Sequence, residues 1–362
     1  MSVTHIVLTG GPCAGKSTGL AIIKERLENL GYKVVIMSEM ATEVINSGIN
    51  PDKFGKEFQR IILNMQLNRD KVYSAYLNDN EKVVVLYDRG VLDGQAYCSR
   101  NTFEELMNDS NVKRFQLMNK YDGVFHLVTA ADGAAEFYTK SNNTARMESV
   151  DEALVADRKT LDAWVGHPHL RVIGNGCTFK EKMNKLMKEI MSLLGEPQPM
   201  EIEVKYLIEM PNLVTLAKFN AVKTSIIQTY LKSKNGTERR IRQRGNNGDY
   251  SYYYTEKKSI SGLVREEKER IITEKEYNDL MMEADTTKHQ IRKDRYCFMY
   301  NGLYYELDIY PFWNNQAILE IEVAEVENAE NIQIPDGITV IKDVTNDINY
   351  KNSHLAINHG NI

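Results

Sequence analysis

Along the first half of the chain, short apolar runs alternate with stretches of helical period. "HIVLT" leads into "KSTGLAIIKERLENLG", followed by "KVVIMS", the long amphipathic "FQRIILNMQLNRDKVYSAYL" and "KVVVLYD". Short runs rich in β-branched residues read as buried strands, and apolar positions three and four apart read as helices laid over them. The alternation predicts an α/β unit, a parallel sheet with flanking helices. "VFHLV" and "LRVIGN" supply two further strands, and "FKEKMNKLMKEIMSLLG" closes the unit with an amphipathic helix ending at Gly195.

After "GEPQPM" the texture changes, because Pro197 and Pro199 forbid a continuing helix. Charged and apolar residues then alternate within each strand, and "KNGT", "GNNGD" and "NG" mark the turns between them. Sequential hairpins of an antiparallel sheet follow from that pattern. The expected division is residues 1–195, a linker at 196–200, and a second domain at 201–362. A chain of 362 residues with 42% hydrophobic content has enough apolar mass for two cores.

Charge removes some function classes. Lysine and arginine number 45 against 50 acids, a net of −5, so no whole-chain attraction to nucleic acid or anionic membrane is expected. Cys13, Cys98, Cys177 and Cys297 are too scattered for a zinc pattern or a disulfide framework. No run of about 18 apolar residues occurs, and "MSVTHIVLTGG" enters a strand with no leader pattern. A cytoplasmic protein without membrane insertion is expected, its partners small nucleotides and triphosphates. Phosphate binding must come from local sites.

The first such site is "GGPCAGKST", which fits G-x-x-x-x-G-K-[ST] from Gly10 to Ser17 and lies between a strand and a helix. Gly10, Gly11 and Gly15 let the backbone close around phosphate oxygens, and the helix start at Ser17 and Thr18 adds positive dipole. Lys16 reaches the outer phosphates, and the Ser17 hydroxyl can ligate Mg²⁺. Asp88, ending "KVVVLYD", can hold the metal, take a substrate proton, or simply cap a helix. Glu39, ending "VVIMSE", can act as general base toward a hydroxyl acceptor or stand as a surface residue. Arg146 and Arg158, around "MESVDEALVAD", can close over a γ-phosphate as a lid or lie on a solvated helix face.

At these residues the first half resembles P-loop NTPases of the nicotinamide riboside kinase-like and deoxynucleoside kinase-like group, of AAA type. Besides the cradle, the resemblance rests on Glu39 within "SEMATEVI", on Gln59 and Gln66, on "DRGVLDGQAY" and on "GHPHLRVIGN". It implies ATP or GTP binding with Mg²⁺ and leaves the acceptor open.

The second site is written in strand parity. In "EIEVK", Glu201, Glu203 and Lys205 share one face. The same holds for Arg240 and Arg242 in "ERRIRQR", Lys257 in "YYYTEKK", and Glu267 and Glu269 in "REEKERI". Lys293 and Arg295 in "IRKDRY", Glu306 and Asp308 in "YELDIY", and Glu320 and Glu322 in "ILEIEV" complete the set. A sheet that turns all these charges one way, while its other face needs apolar cover, is expected to close into a barrel with an ionic interior. Two carboxylates about 5 Å apart repel by about 3 kcal/mol at an effective dielectric of 20, so they need cations. A chain of linked phosphates gripped by the bases, with Mg²⁺ or Mn²⁺ on the acids, satisfies both signs of charge.

With E-x-E-x-K at its start and "VTNDINYKNSHLA" near its end, the second half resembles CYTH domains, the triphosphate tunnel metalloenzymes. The resemblance implies a metal side at Glu201, Glu203, Glu269, Glu320 and Glu322, with Glu201, Glu203 and Lys205 catalytic. It implies triphosphate clamps at Lys205, Arg240, Arg242, Lys257, Lys293 and Arg295. The joined architecture resembles fusions of a P-loop domain to a CYTH domain, including the TRPL translocation defect type. Two functions follow as expectations: a P-loop NTPase or kinase fused to a metal-dependent triphosphatase, or a nucleotide-controlled switch whose tunnel is a receptor for an anionic ligand.

Overall fold

Five parallel strands form the sheet of the first unit: β1 (Thr4–Thr9), β2 (Lys33–Met37), β3 (Val83–Asp88), β4 (Gly123–Leu127) and β5 (Leu170–Ile173), in the order β2-β3-β1-β4-β5. In this computed structural model, residues 3–77, 82–133, 149–176, 178–196, 200–234, 237–261, 264–322 and 332–358 are described. The chain divides into two compact units, Met1–Ile190 and Met191–Ile362.

Ile6, Val7 and Leu8 of β1 and Val84, Val85 and Leu86 of β3 are wholly buried, as strands covered on both faces must be. The covering helices are α1 (Lys16–Asn29), α2 (Met40–Asn46), α3 (Pro51–Phe54), α4 (Lys56–Ser74), α5 (Arg100–Asp109), α6 (Arg114–Met118), α7 (Val150–Trp164) and α8 (Phe179–Leu193). From β1 the chain crosses past β3 to reach β2, while β4 lies on the other side of β1. The carboxyl ends of β1 and β3 therefore flank the crevice where ligands of open α/β sheets bind.

The second unit is a sheet of β6 (Met200–Glu209), β7 (Val222–Lys234), β8 (Thr237–Asn246), β9 (Asp249–Ser261), β10 (Val264–Ile272), β11 (Ile291–Tyr300), β12 (Leu303–Ile309), β13 (Gln316–Glu322) and β14 (Val340–Asp343). Its order is β10-β9-β8-β7-β11-β12-β13-β6-β14, with antiparallel neighbours throughout. The expected closed barrel needs correction. β10 meets β6 only where Val264, Arg265 and Glu266 pair with Ile202, Glu201 and Met200. Farther along, the same edge of β6 pairs with β14, Asp343 and Val340 facing Tyr206 and Ile208. One edge cannot serve two partners at once, so the ring is not closed along its length.

Parity sorts the two faces as the alternation requires. Phe298, Tyr305, Leu307, Leu319, Ile321 and Ile208 form an apolar cluster with Leu216 of helix α9 (Leu213–Lys218). A second cluster joins Leu231, Ile241 and Ile272 to Tyr277 of α10 (Glu274–Met281). The opposite face carries the charges, but not from end to end. One step beyond the Lys205–Glu320 pair comes the Leu207–Ile318 pair. There Leu207, Tyr230, Ile291, Tyr310 and Ile318 pack with Leu355 and Ala356 of α11 (Asn352–Asn358) and plug that end.

Candidate functional sites

The loop from Gly10 to Lys16 is shaped by backbone demands that the sequence meets at particular positions. Gly10 has φ of 136°, and a Cβ there would lie 2.1 Å from the Leu127 carbonyl oxygen. Gly15 (φ 88°) immediately precedes α1, whose first turn is set by the Gly19 N–H donating to its carbonyl at 2.8 Å. The Lys16 ammonium folds back to donate to the Gly10 and Gly11 carbonyls, both at 2.9 Å. Ser17 and Thr18 are exposed at the helix start and line a cavity of about 1170 Å³, together with Lys16, Glu39, Asp88, Arg89 and Asp93.

Opposed charges crowd this cavity. Arg89 has φ of 69°, and its Nε donates to Glu39 Oε1 at 2.6 Å, so the two strand-end acids differ in environment. Burial pushes the Asp88 carboxyl up. Burial also acts upward on Glu39, but Arg89, Thr42 and Lys16 outweigh it and hold that carboxyl below its usual range. Of the two, Asp88 is the better proton acceptor, and Glu39 is committed to fixing Arg89. The Asp88 Oδ1 is buried without a hydrogen-bond partner, beside Lys16. An orphaned carboxylate oxygen and an exposed Ser17 hydroxyl lining the same cavity are oxygen donors suited to Mg²⁺. When bound, that ion would draw charge off the transferring phosphoryl group.

Lys16 is lowered to about 8, chiefly by burial and then by Arg89, against Asp88, Glu39 and Asp93. Its ordinary value is about 10.4, so between about 8 and 10.4 the unfolded chain holds more protons, and this residue's stability contribution rises with pH there. Phosphate affinity runs the other way, because the phosphate needs the ammonium. Nucleotide affinity of the full chain is expected to fall as pH rises above about 8, by up to about tenfold per unit, with Lys16→Met flattening the profile in a binding titration.

Several supports of the cradle had no local signal. Asp157 of α7 accepts from the Gly11 N–H at 2.6 Å, the Thr129 N–H at 3.1 Å and His126 Nε2 at 3.2 Å. Burial works against its charge, yet the His126 contact and these N–H donors keep its carboxyl below the usual range. Asp93 accepts from Thr9 Oγ1 at 2.7 Å and from Trp164 Nε1 at 2.5 Å. Thus α7 is tied to the cradle at Asp157 and to the turn after β3 through Trp164. Arg158, next to Asp157, is exposed and near Asp162. Arg146 lies outside the described residues.

In the second unit, the charged face carries two dense groups. In one, Lys205 Nζ lies 2.5 Å from Glu320 and 3.3 Å from Glu203. Arg295 reaches Glu320 at 2.5 Å, Asp308 at 2.6 Å and also Glu306, while Lys293 meets Asp308. In the other, Arg240 meets Glu267 at 3.1 Å, Lys257 meets Glu267 at 2.5 Å, and Arg242 meets Glu269 at 3.5 Å. Glu322 faces Glu203 across β13 and β6 and is exposed at the rim. The Glu201 side chain is outside the described residues.

The bases are not equivalent. Burial disfavours the Lys205 charge, but Glu203 and Glu320 more than compensate and push its pKa upward. Lys293 goes down to about 8, from burial first and Arg295 second. Glu320 is held well below its usual range by Lys205, Lys293 and Arg295, in spite of burial. Among the described residues no three acidic, histidine or cysteine side chains gather as a metal site. Glu203, Glu269, Glu320 and Glu322 suit a hard cation in kind, yet they stand as partners of bases or at the rim. Asp308 and Glu306 share the charged face by parity, and only the structure shows Asp308 to be the hub of one group.

Residues 5–182 match the family model of an AAA domain. No curated protein matches the chain. Solved structures similar to its later part include the inorganic triphosphatase NE1496, 23% identical over 44% of this chain and 97% of that one, with a TM-score of 0.31. The PH1012 protein of Pyrococcus horikoshii is 17% identical over 36% of this chain and 84% of that one, at 0.29. A putative adenylyl cyclase of Hippeastrum, described as having a dominant triphosphatase activity, is 16% identical over 36% and 83%, at 0.28. The first unit is an AAA-type P-loop nucleotide-binding domain. No described helix is long and apolar enough to cross a membrane.

Proposed function

We propose that the chain is a two-site phosphate enzyme: a Mg²⁺-dependent P-loop NTPase or small-molecule kinase joined to a tunnel that hydrolyses a phosphoanhydride of tripolyphosphate, thiamine triphosphate or a nucleoside triphosphate. This reading includes the TRPL translocation defect type of fusion and a cytoplasmic setting. The observation that carries it is the single-faced ladder of bases, Lys205, Arg240, Arg242, Lys257, Lys293 and Arg295, buried or half-buried and each meeting an acid of another strand, with Arg240 and Arg242 reaching across β9 to β10. Such a surface exchanges one set of anions for another. Phosphoryl oxygens take the place of carboxylates at the bases, and the released Glu203 and Glu322 at the rim become oxygen donors for Mg²⁺ or Mn²⁺. In the first unit, Gly10, Gly11, Gly15 and Lys16 hold the phosphates, Ser17 and Asp88 hold Mg²⁺, and Arg146 and Arg158 belong to the lid. ATP consumption rises on adding a hydroxyl acceptor if the transfer is a kinase reaction.

A specific observation favours the second reading, a nucleotide-controlled switch with a receptor tunnel: the bases already have protein counter-ions, and no three metal donors gather among the described residues. Phosphate release from a panel of triphosphates, with Mg²⁺ and with Mn²⁺, separates the two. Catalysis predicts tripolyphosphate turnover in wild type that Glu322→Gln abolishes. Turnover no faster than buffer for every compound leaves the receptor.

A further inference from the structure

Phe179 is the first residue of α8, is 47% exposed, and lines the same cavity as Lys16. A large aromatic ring half open to the cavity offers a flat π-face on which a planar ligand can stack. Its ring edge stands against the phosphate loop, since a Cβ on Gly15 would lie 2.7 Å from Phe179 Cε2. The helix that carries the ring is fastened in place. Lys182, one turn along α8 and 3% exposed, donates to the Ala14 carbonyl at 3.2 Å, the Val128 carbonyl at 2.7 Å and Asn175 Oδ1 at 2.7 Å. That ammonium fastens the start of α8, which carries Phe179, to the loop.

The polar groups beside the ring are committed elsewhere. The Asn175 amide donates to the carbonyls of Thr129 at 2.6 Å and Asp132 at 2.7 Å, and its oxygen accepts from Lys182. Among the described residues lining this side of the cavity, Pro12, Cys13, Ala130, Asn175 and Lys182, the side-chain amide and ammonium both serve the fold.

Resting on the P-loop reading, we propose that Phe179 is the platform on which the nucleobase stacks, so that the cradle selects nucleoside triphosphates over inorganic triphosphate by a base-face contact and treats adenine and guanine nearly alike. Every base has a π-face, and stacking on one aromatic ring is worth on the order of 10-fold to 100-fold in affinity.

Calorimetric titration of the full chain with ATP, GTP and tripolyphosphate, all with Mg²⁺, tests this. The component that Lys16→Ala removes is taken as binding at the cradle. Phe179→Ala is expected to weaken that component by roughly 10-fold to 100-fold for both nucleotides and to leave tripolyphosphate unchanged. Phe179→Trp is expected to restore nucleotide affinity and to show indole emission quenched on binding. Unchanged nucleotide affinity in Phe179→Ala, equal weakening for all three ligands, or a large preference for one base in wild type overturns the platform. Absence of any Lys16-dependent nucleotide binding in wild type overturns the P-loop reading instead.

Discussion

Asp308→Ala is expected to destabilise the second unit by about 3–5 kcal/mol, the range for removing one partner of a buried ion pair. Asp308 is wholly buried and takes Lys293 and two nitrogens of Arg295, at 2.7 Å and 2.6 Å for the latter. Its loss takes from Lys293 the carboxylate it donates to and leaves Arg295 with Glu306 and Glu320. Repulsion then acts between Lys293 and Arg295, neighbours on one face of β11. Glu320 remains beside Arg295 and offsets part of the loss, which keeps the expectation within that range rather than above it. The measurement is urea unfolding followed by Trp313, which packs on Tyr310 with ring centroids 5.1 Å apart in this unit. A loss below about 1 kcal/mol would mean that the face is solvated and the group is not a closed electrostatic unit. Lys293→Met combined with Asp308→Leu should recover much of the stability, because apolar pairs replace buried ion pairs at little cost.

Lys16→Ala is expected to lower nucleotide turnover by roughly 10²–10³-fold, the usual cost of removing one group that neutralises transition-state charge. Two effects combine in one side chain. The ammonium supplies positive charge to the outer phosphates, and its bonds to the Gly10 and Gly11 carbonyls hold the loop that presents backbone N–H groups. Lys16→Arg should not rescue, since a planar fork cannot reproduce a compact ammonium folded onto two carbonyls. Steady-state kinetics with ATP and GTP read the loss. A fall of less than about tenfold would remove Lys16 from the chemistry and leave it a loop support.

The candidate sites are legible in the sequence wherever chemistry is written in local spacing. "GGPCAGKST" needs only eight or nine consecutive residues, and the like-facing charges of β6 to β13 need only period two. Partnerships between distant segments leave no such trace. Asp157 reaches Gly11 from 146 positions away, so its role is invisible in a helix that reads as ordinary and amphipathic. Arg158 is of the residue type usual in a lid, while the acid beside it touches the loop. Phe179 opens a regular helix and gives no sign that its ring meets Gly15. Leu207 and Ile318 share the parity of the charged face, yet nothing in the alternation tells that they plug one end of it under α11. Nor could alternation show that β14 takes the part of the β6 edge a fully closed barrel would use.

Two separate phosphate sites in one chain are tested most directly by phosphate release from tripolyphosphate in wild type, Lys16→Ala and Arg242→Ala. Arg242 suits this because its pair with Glu269 is long, at 3.5 Å, and its side chain is only partly buried. The account predicts that Lys16→Ala hydrolyses tripolyphosphate like wild type and that Arg242→Ala falls by roughly 10²-fold. Loss of the activity in Lys16→Ala, or its retention in Arg242→Ala, would contradict it.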